Sequence, residues 1–198
     1  MPNWITNKVE VIGNGQDLVD LRNLMHTDDN YKFDFHKIVP MPEELQETVC
    51  PFKGTPEDSK RMKEKYGADN WYDWAINNWG CKWNAGEVSY SQITEISAGK
   101  FILSITFETP WSVPAPLMLA LGKRFDKCHF KGMYADEDLG SNFGEYEIEN
   151  GQGLFFCCYD FDDLQNGTRA LDVLFACKPY AEDAWDKETC EFNWSIYE

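Results

Sequence analysis

Apolar residues recur with two periods along the chain, and each period predicts a different element. From Asn7 to Gly13, Val9 and Val11 alternate with Lys8, Glu10 and Ile12, which predicts a first strand. Asn14 is placed to cap a helix over Gly15–His26, whose Leu18, Leu21 and Met25 follow helical spacing. Tyr31, Phe33 and Phe35 alternate with Lys32, Asp34 and His36, so a second strand is expected to end near Val39, before Pro40 and Pro42. Thr55-Pro56-Glu57-Asp58 reads as a helix start, and Gly67 as its stop after Tyr66. With only Met62 and Tyr66 as apolar anchors, that helix is expected on the rim.

Further along, Val88–Ser97 and Lys100–Glu108 read as strands joined by Ala98-Gly99. A Pro-rich start after Trp111 leads into a helix to about Phe125, and Lys127–Tyr134 returns as a strand. Gly144–Glu149 and Gly153–Tyr159 form an expected hairpin around Asn150-Gly151, a favoured turn pair. The stretch from Asp162 to Cys177 is broken by Gly167 and suits a helix in its second half. Cys190, Phe192, Trp194 and Ile196 alternate with polar residues, which predicts a final strand. Together these β-α-β units predict an α+β fold, helices packed on a mostly antiparallel sheet. One domain spans 1–198, with an inserted helical, aromatic-rich segment at about 43–84.

That insertion holds the most distinctive run, Asn70 to Asn84, with Trp71, Tyr72, Trp74, Trp79 and Trp83. Asn70 is expected to cap a short helix and Gly80 to end it. Trp71, Trp74 and Asn78 would share one helix face, and Tyr72, Ile76 and Trp79 another. Two readings stand. The rings pack the helix onto the sheet, or they line a ligand pocket or partner hot spot, with Asn77, Asn78, Lys82 and Asn84 supplying hydrogen bonds. Trp4 and Trp111 are expected in the same cluster. The candidate binding residues are therefore Trp71, Tyr72, Trp74, Asn78, Trp79, Lys82, Trp83 and Trp111.

The same run, taken with Met1-Pro2-Asn3-Trp4 and Asn7, Ile38-Val39-Pro40-Met41-Pro42-Glu43-Glu44-Leu45 and Phe107-Glu108-Thr109-Pro110-Trp111-Ser112, resembles the YubB-like family carried by phages and plasmids. The resemblance spans roughly residues 1–145, and the last 50 residues share only general character. It implies a ferredoxin-like core, a name for topology that carries no iron–sulfur cluster, and a genomic setting. It implies no catalytic residues.

Charge narrows the function classes. Lys and Arg total 18 against 34 Asp and Glu, a net charge of −16. Such a chain repels phosphate backbones and anionic membrane surfaces, so direct nucleic-acid or membrane binding is not expected, whereas a basic host protein is a fitting partner. No apolar run approaches the ~18 residues of a membrane helix, and the first residues lack a secretion signal. The seven Cys include no CxxC pair, and the adjacent Cys157 and Cys158 would point to opposite faces of a strand. Reduced thiols in a cytoplasmic protein, with no metal and no cofactor, are the expectation. The acids at Asp136–Asp138 and Asp160–Asp163 follow no recognised calcium loop. His26, His36 and His129 lack a paired acid–base signature, and no nucleophile elbow or P-loop is present. The expected role is a non-enzymatic accessory protein that binds another protein. A small-ligand-binding module using the Trp-rich segment and an enzyme with a scattered site are the alternatives.

Overall fold

The computed structural model describes residues 2–26, 33–193 and 195. Strand β1 (Trp4–Gly13) buries Ile5, Asn7, Val9 and Val11. Asn14 caps helix α1 (Gly15–Met25), its Oδ1 accepting from Asp17 N–H at 2.9 Å, and Leu18, Leu21 and Met25 face the core.

The expected second strand is not one. Tyr31 and Lys32 lie outside the described residues, and Phe35–Lys37 forms a 3-10 turn. Asp34 drives the turn: its Oδ1 accepts from His36 N–H at 3.0 Å, which bends the chain where a ladder would need it extended. Phe33 and Phe35 are both buried, edge to face at 5.0 Å, so their spacing reflects a turn between two core rings and not a pleat. Among the described residues the chain rejoins the sheet at β2 (Gly86–Tyr90), after helices α2 (Glu43–Gln46), α3 (Pro56–Tyr66) and α4 (Trp71–Asn78). Thr55 and Asn70 cap α3 and α4 through their side chains.

Strands β2 and β3 (Thr94–Ser97) both pair with β4 (Lys100–Pro110). The single long strand expected at Val88–Ser97 breaks between them, where Ser91 Oγ accepts from Ser104 N–H at 2.9 Å. Helix α5 (Ala115–Arg124) and strand β5 (His129–Asp136) follow, then the hairpin β6 (Phe143–Glu149) and β7 (Gln152–Tyr159). Asn150 and Gly151 both have positive φ, 52° and 70°, as a two-residue hairpin turn requires. The chain then forms α6 (Phe161–Asn166), α7 (Thr168–Cys177), α8 (Tyr180–Ala184) and a ribbon of β8 (Trp185–Asp186) with β9 (Glu191–Phe192). That ribbon replaces the longer final strand expected, whose Trp194 and Ile196 lie outside the described residues.

Among the described residues seven strands form one sheet, ordered β2-β4-β1-β5-β6-β7 with β3 also on β4, and every pair is antiparallel. Each of the crossovers through α1 and α5 skips one strand: β1 to β2 passes over β4, and β4 to β5 passes over β1. That interleaving is the ferredoxin-like arrangement. Strands β6 and β7 extend it beyond β5.

One sheet face packs Val9, Val11, Ile105, Phe107 and Phe130 against Leu18 and Leu21 of α1 and Leu117 and Leu121 of α5. On the other face Ala135 and Phe143 meet Ala170, Val173, Leu174 and Cys177 of α7. Gly132 stands opposite Tyr146, whose ring occupies the space of a Cβ, 2.1 Å from where that atom would sit. No helix among the described residues is long and apolar enough to cross a membrane.

Candidate functional site

Helix α4 divides its aromatics by depth. Trp74 and Trp79 are buried and meet edge to face at 5.5 Å, and Trp79 Nε1–H donates to Val39 O at 2.8 Å. Trp74 is thus a core residue. Trp71 is half-buried, with Tyr72 edge-on to it at 5.7 Å. Asn78 spends its Nδ2–H on Trp74 O at 2.8 Å, within the helix. Burial does not follow the two expected faces: Trp74, Ala75 and the C-cap Trp79 are buried while Trp71, Tyr72, Ile76 and Asn78 are half-buried, and α4 packs against α2 and α5.

Gly80 ends the helix with φ 89°, and a Cβ there would lie 2.6 Å from Pro116 Cδ. This close approach joins the end of α4 to the start of α5, and Ser112 Oγ–H also donates to Gly80 O. Beyond it, Cys81 is buried and burial pushes its thiol up to about 12. Asn84 fastens the segment to the 3-10 turn: its Oδ1 accepts from Phe35 N–H at 2.7 Å and its Nδ2–H donates to Asp34 Oδ1 at 3.2 Å.

Between these anchors lies an open groove of about 290 Å³. The buried Trp79 and Met41 contribute to its lining, with His36 edge-on to Trp79 at 4.8 Å. Trp71 and Trp83 add two further indoles, and Gln46, Lys82 and Asn84 add polar groups. On the rim, Lys82 Nζ lies 4.6 Å from the Trp83 ring centroid and 4.7 Å from that of Trp111, a cation held between two indoles. Trp4 touches Trp83, centroids 6.4 Å apart. Trp83 and Trp111 remain 36% and 42% exposed, so their rings are available to a partner.

Trp111 reaches this place through a strained turn. Its φ is 66°, a conformation costly for a residue with a Cβ. The surroundings hold it there: Trp111 N–H donates to Asn3 O at 2.9 Å, and Asn142 Nδ2–H donates to Trp111 O at 3.0 Å. Below the turn, fully buried Asn7 donates through Nδ2–H to Thr109 Oγ1 at 2.9 Å, and Thr109 Oγ1–H donates to Ser112 O at 2.8 Å. This relay ties the central strand to the rim of the groove.

Of the eight residues singled out by sequence, Trp71, Trp79, Lys82 and Trp83 line the groove and Trp111 joins its rim. Trp74, Tyr72 and Asn78 do not line it. Sequence reasoning missed Met41 and Gln46, and it put His36 in a strand rather than a turn. The Asp34–His36 turn signal, an Asx residue two before a histidine, would have moved His36 inward.

Displaced carboxyls elsewhere brace the insertion. Arg61, Tyr66 and Lys65 hold Glu44 down to about 2, joining α2 to α3. Ser59, Lys63 and Asn70 hold Asp69 down to about 2 against its burial, joining α3 to α4. The Asp160–Asp163 group is a capping box on α6, and Asp136 accepts from Asp138 N–H and Asn142 Nδ2–H. Larger cavities, about 500 and 600 Å³, lie among α6–α8 and at one end of the sheet. What distinguishes the groove is its three indoles beside one lysine.

Residues 78–174 match the family described as a ferredoxin-like domain in Api92-like protein. The chain is also similar to the crystal structure of a protein api92 from Yersinia pseudotuberculosis, at 11% sequence identity and a TM-score of 0.48, over 80% of this chain and 98% of that one. No curated protein matches. Residues 78–174 thus carry a ferredoxin-like domain within an α+β fold.

Proposed function

We propose that this chain is a non-enzymatic accessory protein of a phage or plasmid that acts in the cytoplasm by binding a basic host protein through the Trp71–Trp83 groove. The mobile-element setting rests on the YubB-like resemblance of its motifs. The observation that carries the binding mode is the pair of exposed indoles, Trp83 and Trp111, clamping Lys82 beside the groove. Half-exposed Trp is the side chain most typical of protein hot spots. A volume of about 290 Å³ fits one inserted side chain or a short loop, and falls at the small end for a whole metabolite. The net charge of −16 supplies long-range attraction for a basic partner and repels nucleic acid.

A small planar ligand is the second reading, favoured by the gathering of Trp71, Trp79 and Trp83 around one volume. Capture from host lysate at low and high salt, wild type against a Trp83→Ala/Trp111→Ala double variant, separates the readings. The protein-binding reading expects a stoichiometric partner that is lost in the double variant and weakened by salt. The same partner captured equally by the variant would refute it. Failure to capture any partner, with a metabolite-dependent rise in wild-type melting temperature, would favour the small ligand.

A further inference from the structure

We propose that the Trp71–Trp83 groove takes the C-terminal residue of its protein partner, an aromatic side chain among the indoles with the terminal carboxylate on Lys82. The inference rests on the protein-binding reading of the groove and names what enters it. Among the described residues no carboxylate lines the groove; its charged group is Lys82, and His36 can add only positive charge. Asp34 stands beside the lining, but its Oδ1 already accepts from His36 N–H and Asn84 Nδ2–H. The groove is thus a basic spot on a chain of net charge −16. A lysine or arginine of the partner placed there would face Lys82 and be repelled. The partner's basic surface therefore meets acids outside the groove, and the group that enters is neutral or anionic.

Lys82 is set up for an anion. Elsewhere cations meet acids: Arg61 and Lys65 meet Glu44, Lys63 meets Asp69, and Arg169 meets Glu145. Lys82 joins no ion pair or hydrogen bond among the described residues, and its Nζ is held 4.6 and 4.7 Å from two indole centroids. Ring faces stabilise the charge but leave the three N–H donors without an oxygen acceptor from the protein. The other polar lining groups are tied down: Gln46 Nε2–H donates to Met41 O at 2.9 Å, and Asn84 bonds the 3-10 turn. A C-terminal aromatic residue carries its ring and its carboxylate a few bonds apart, which suits an ammonium 4.6 Å from the Trp83 centroid. An internal Asp or Glu would bring a carboxylate with no apolar body for Trp71, Trp79 and Trp83. The volume of about 290 Å³ holds one such residue and leaves the rest of the partner outside. Terminal carboxylates are a recurring handle in peptide recognition.

Calorimetric titration of the full chain with acetyl-Gly-Ala-Phe, as the free acid and as the C-terminal amide, tests this. At physiological salt the Debye length of ~8 Å screens the chain's distant acids and leaves Lys82 within reach. The acid is expected to bind about tenfold or more tightly than the amide, since its bonds to Lys82 are charge-assisted on both sides. Lys82→Gln should remove that preference, Lys82→Arg should keep it, and Trp83→Ala should weaken both peptides. Comparing acid with amide needs no variant, so a substitution that fails to fold leaves the test intact. Equal binding of the two peptides, binding of neither, a preference that survives Lys82→Gln, or phenylacetate bound as tightly as the peptide acid would overturn the proposal. If lysate capture still yields a partner that Trp83→Ala/Trp111→Ala loses, the groove reading stands and the C-terminal occupant alone falls.

Discussion

Thr109→Val tests the relay beneath the groove. The substitution preserves side-chain shape and removes one hydroxyl. In the folded chain that hydroxyl accepts from Asn7 Nδ2–H at 2.9 Å and donates to Ser112 O at 2.8 Å, with Thr109 and Asn7 both fully buried. Asn7 keeps its bond to Ile5 O at 3.0 Å, and Ser112 is only half-buried, so neither residue is wholly orphaned. Two partly compensated losses, at ~1 kcal/mol each, give a destabilisation of about 2 kcal/mol. For a chain of this size that is a fall in melting temperature of about 4–8 °C. Urea denaturation gives the free energy, and the midpoint should move with the slope unchanged. The variant should also bind its partner less well than wild type at temperatures where both are folded, because Ser112, next to Trp111 on the rim, would lose its bond to the central strand. A stability change below about 0.5 kcal/mol would show that the relay bears little energy and refute the reasoning.

Other outcomes follow from the same geometry. Trp74→Ala should cost about 3–5 kcal/mol in denaturant titration, while Trp83→Ala should stay within about 1 kcal/mol; equal costs would mean that the aromatic run is not divided into core and surface. Asp69, held at about 2 against an ordinary 3.8 by Ser59 and Lys63, stabilises the fold fully above pH 3.8. That contribution is lost as pH falls through about 2, so acid titration of Asp69→Asn should be flatter than wild type between pH ~4 and ~2. Cys81, Cys128 and Cys177 are buried, and burial pushes their thiols up to about 12, 11 and 12. A thiol reagent at pH 8 should leave these three unmodified until urea is added, and should label the exposed Cys50 and Cys158 first.

Much of the fold was legible because its signals are local. Asn14, Thr55 and Asn70 announce their helices through side chains that cap within three residues, and Asn150-Gly151 announces a hairpin through backbone conformation alone. The 33–39 stretch was misread because alternation cannot distinguish a pleat from a turn that buries rings on either side. The local Asp34–His36 bond bends the chain there, and the contact between Asp34 and Asn84, 50 residues apart, fastens the bend in place. The groove divides the same way. Trp71, Trp79, Lys82 and Trp83 come from one run and were visible as a group. His36 lies in the misread turn itself, and Met41 and Gln46, the last residue of α2, follow it along a path that the turn sets. Trp74 and Trp79 lie five residues apart, off the i, i+3, i+4 rows, and both still point inward because α4 is contacted from two sides.

The central claim, that the groove holds a protein partner, is tested most directly by photo-crosslinking from inside it. A benzophenone amino acid would replace Gln46, an exposed groove residue, or in a control Glu57, an exposed residue of α3 outside the groove. After irradiation in host lysate, the account predicts one discrete crosslinked polypeptide from position 46 and none from position 57. No crosslink from position 46, or equal crosslinking from both positions, would contradict it.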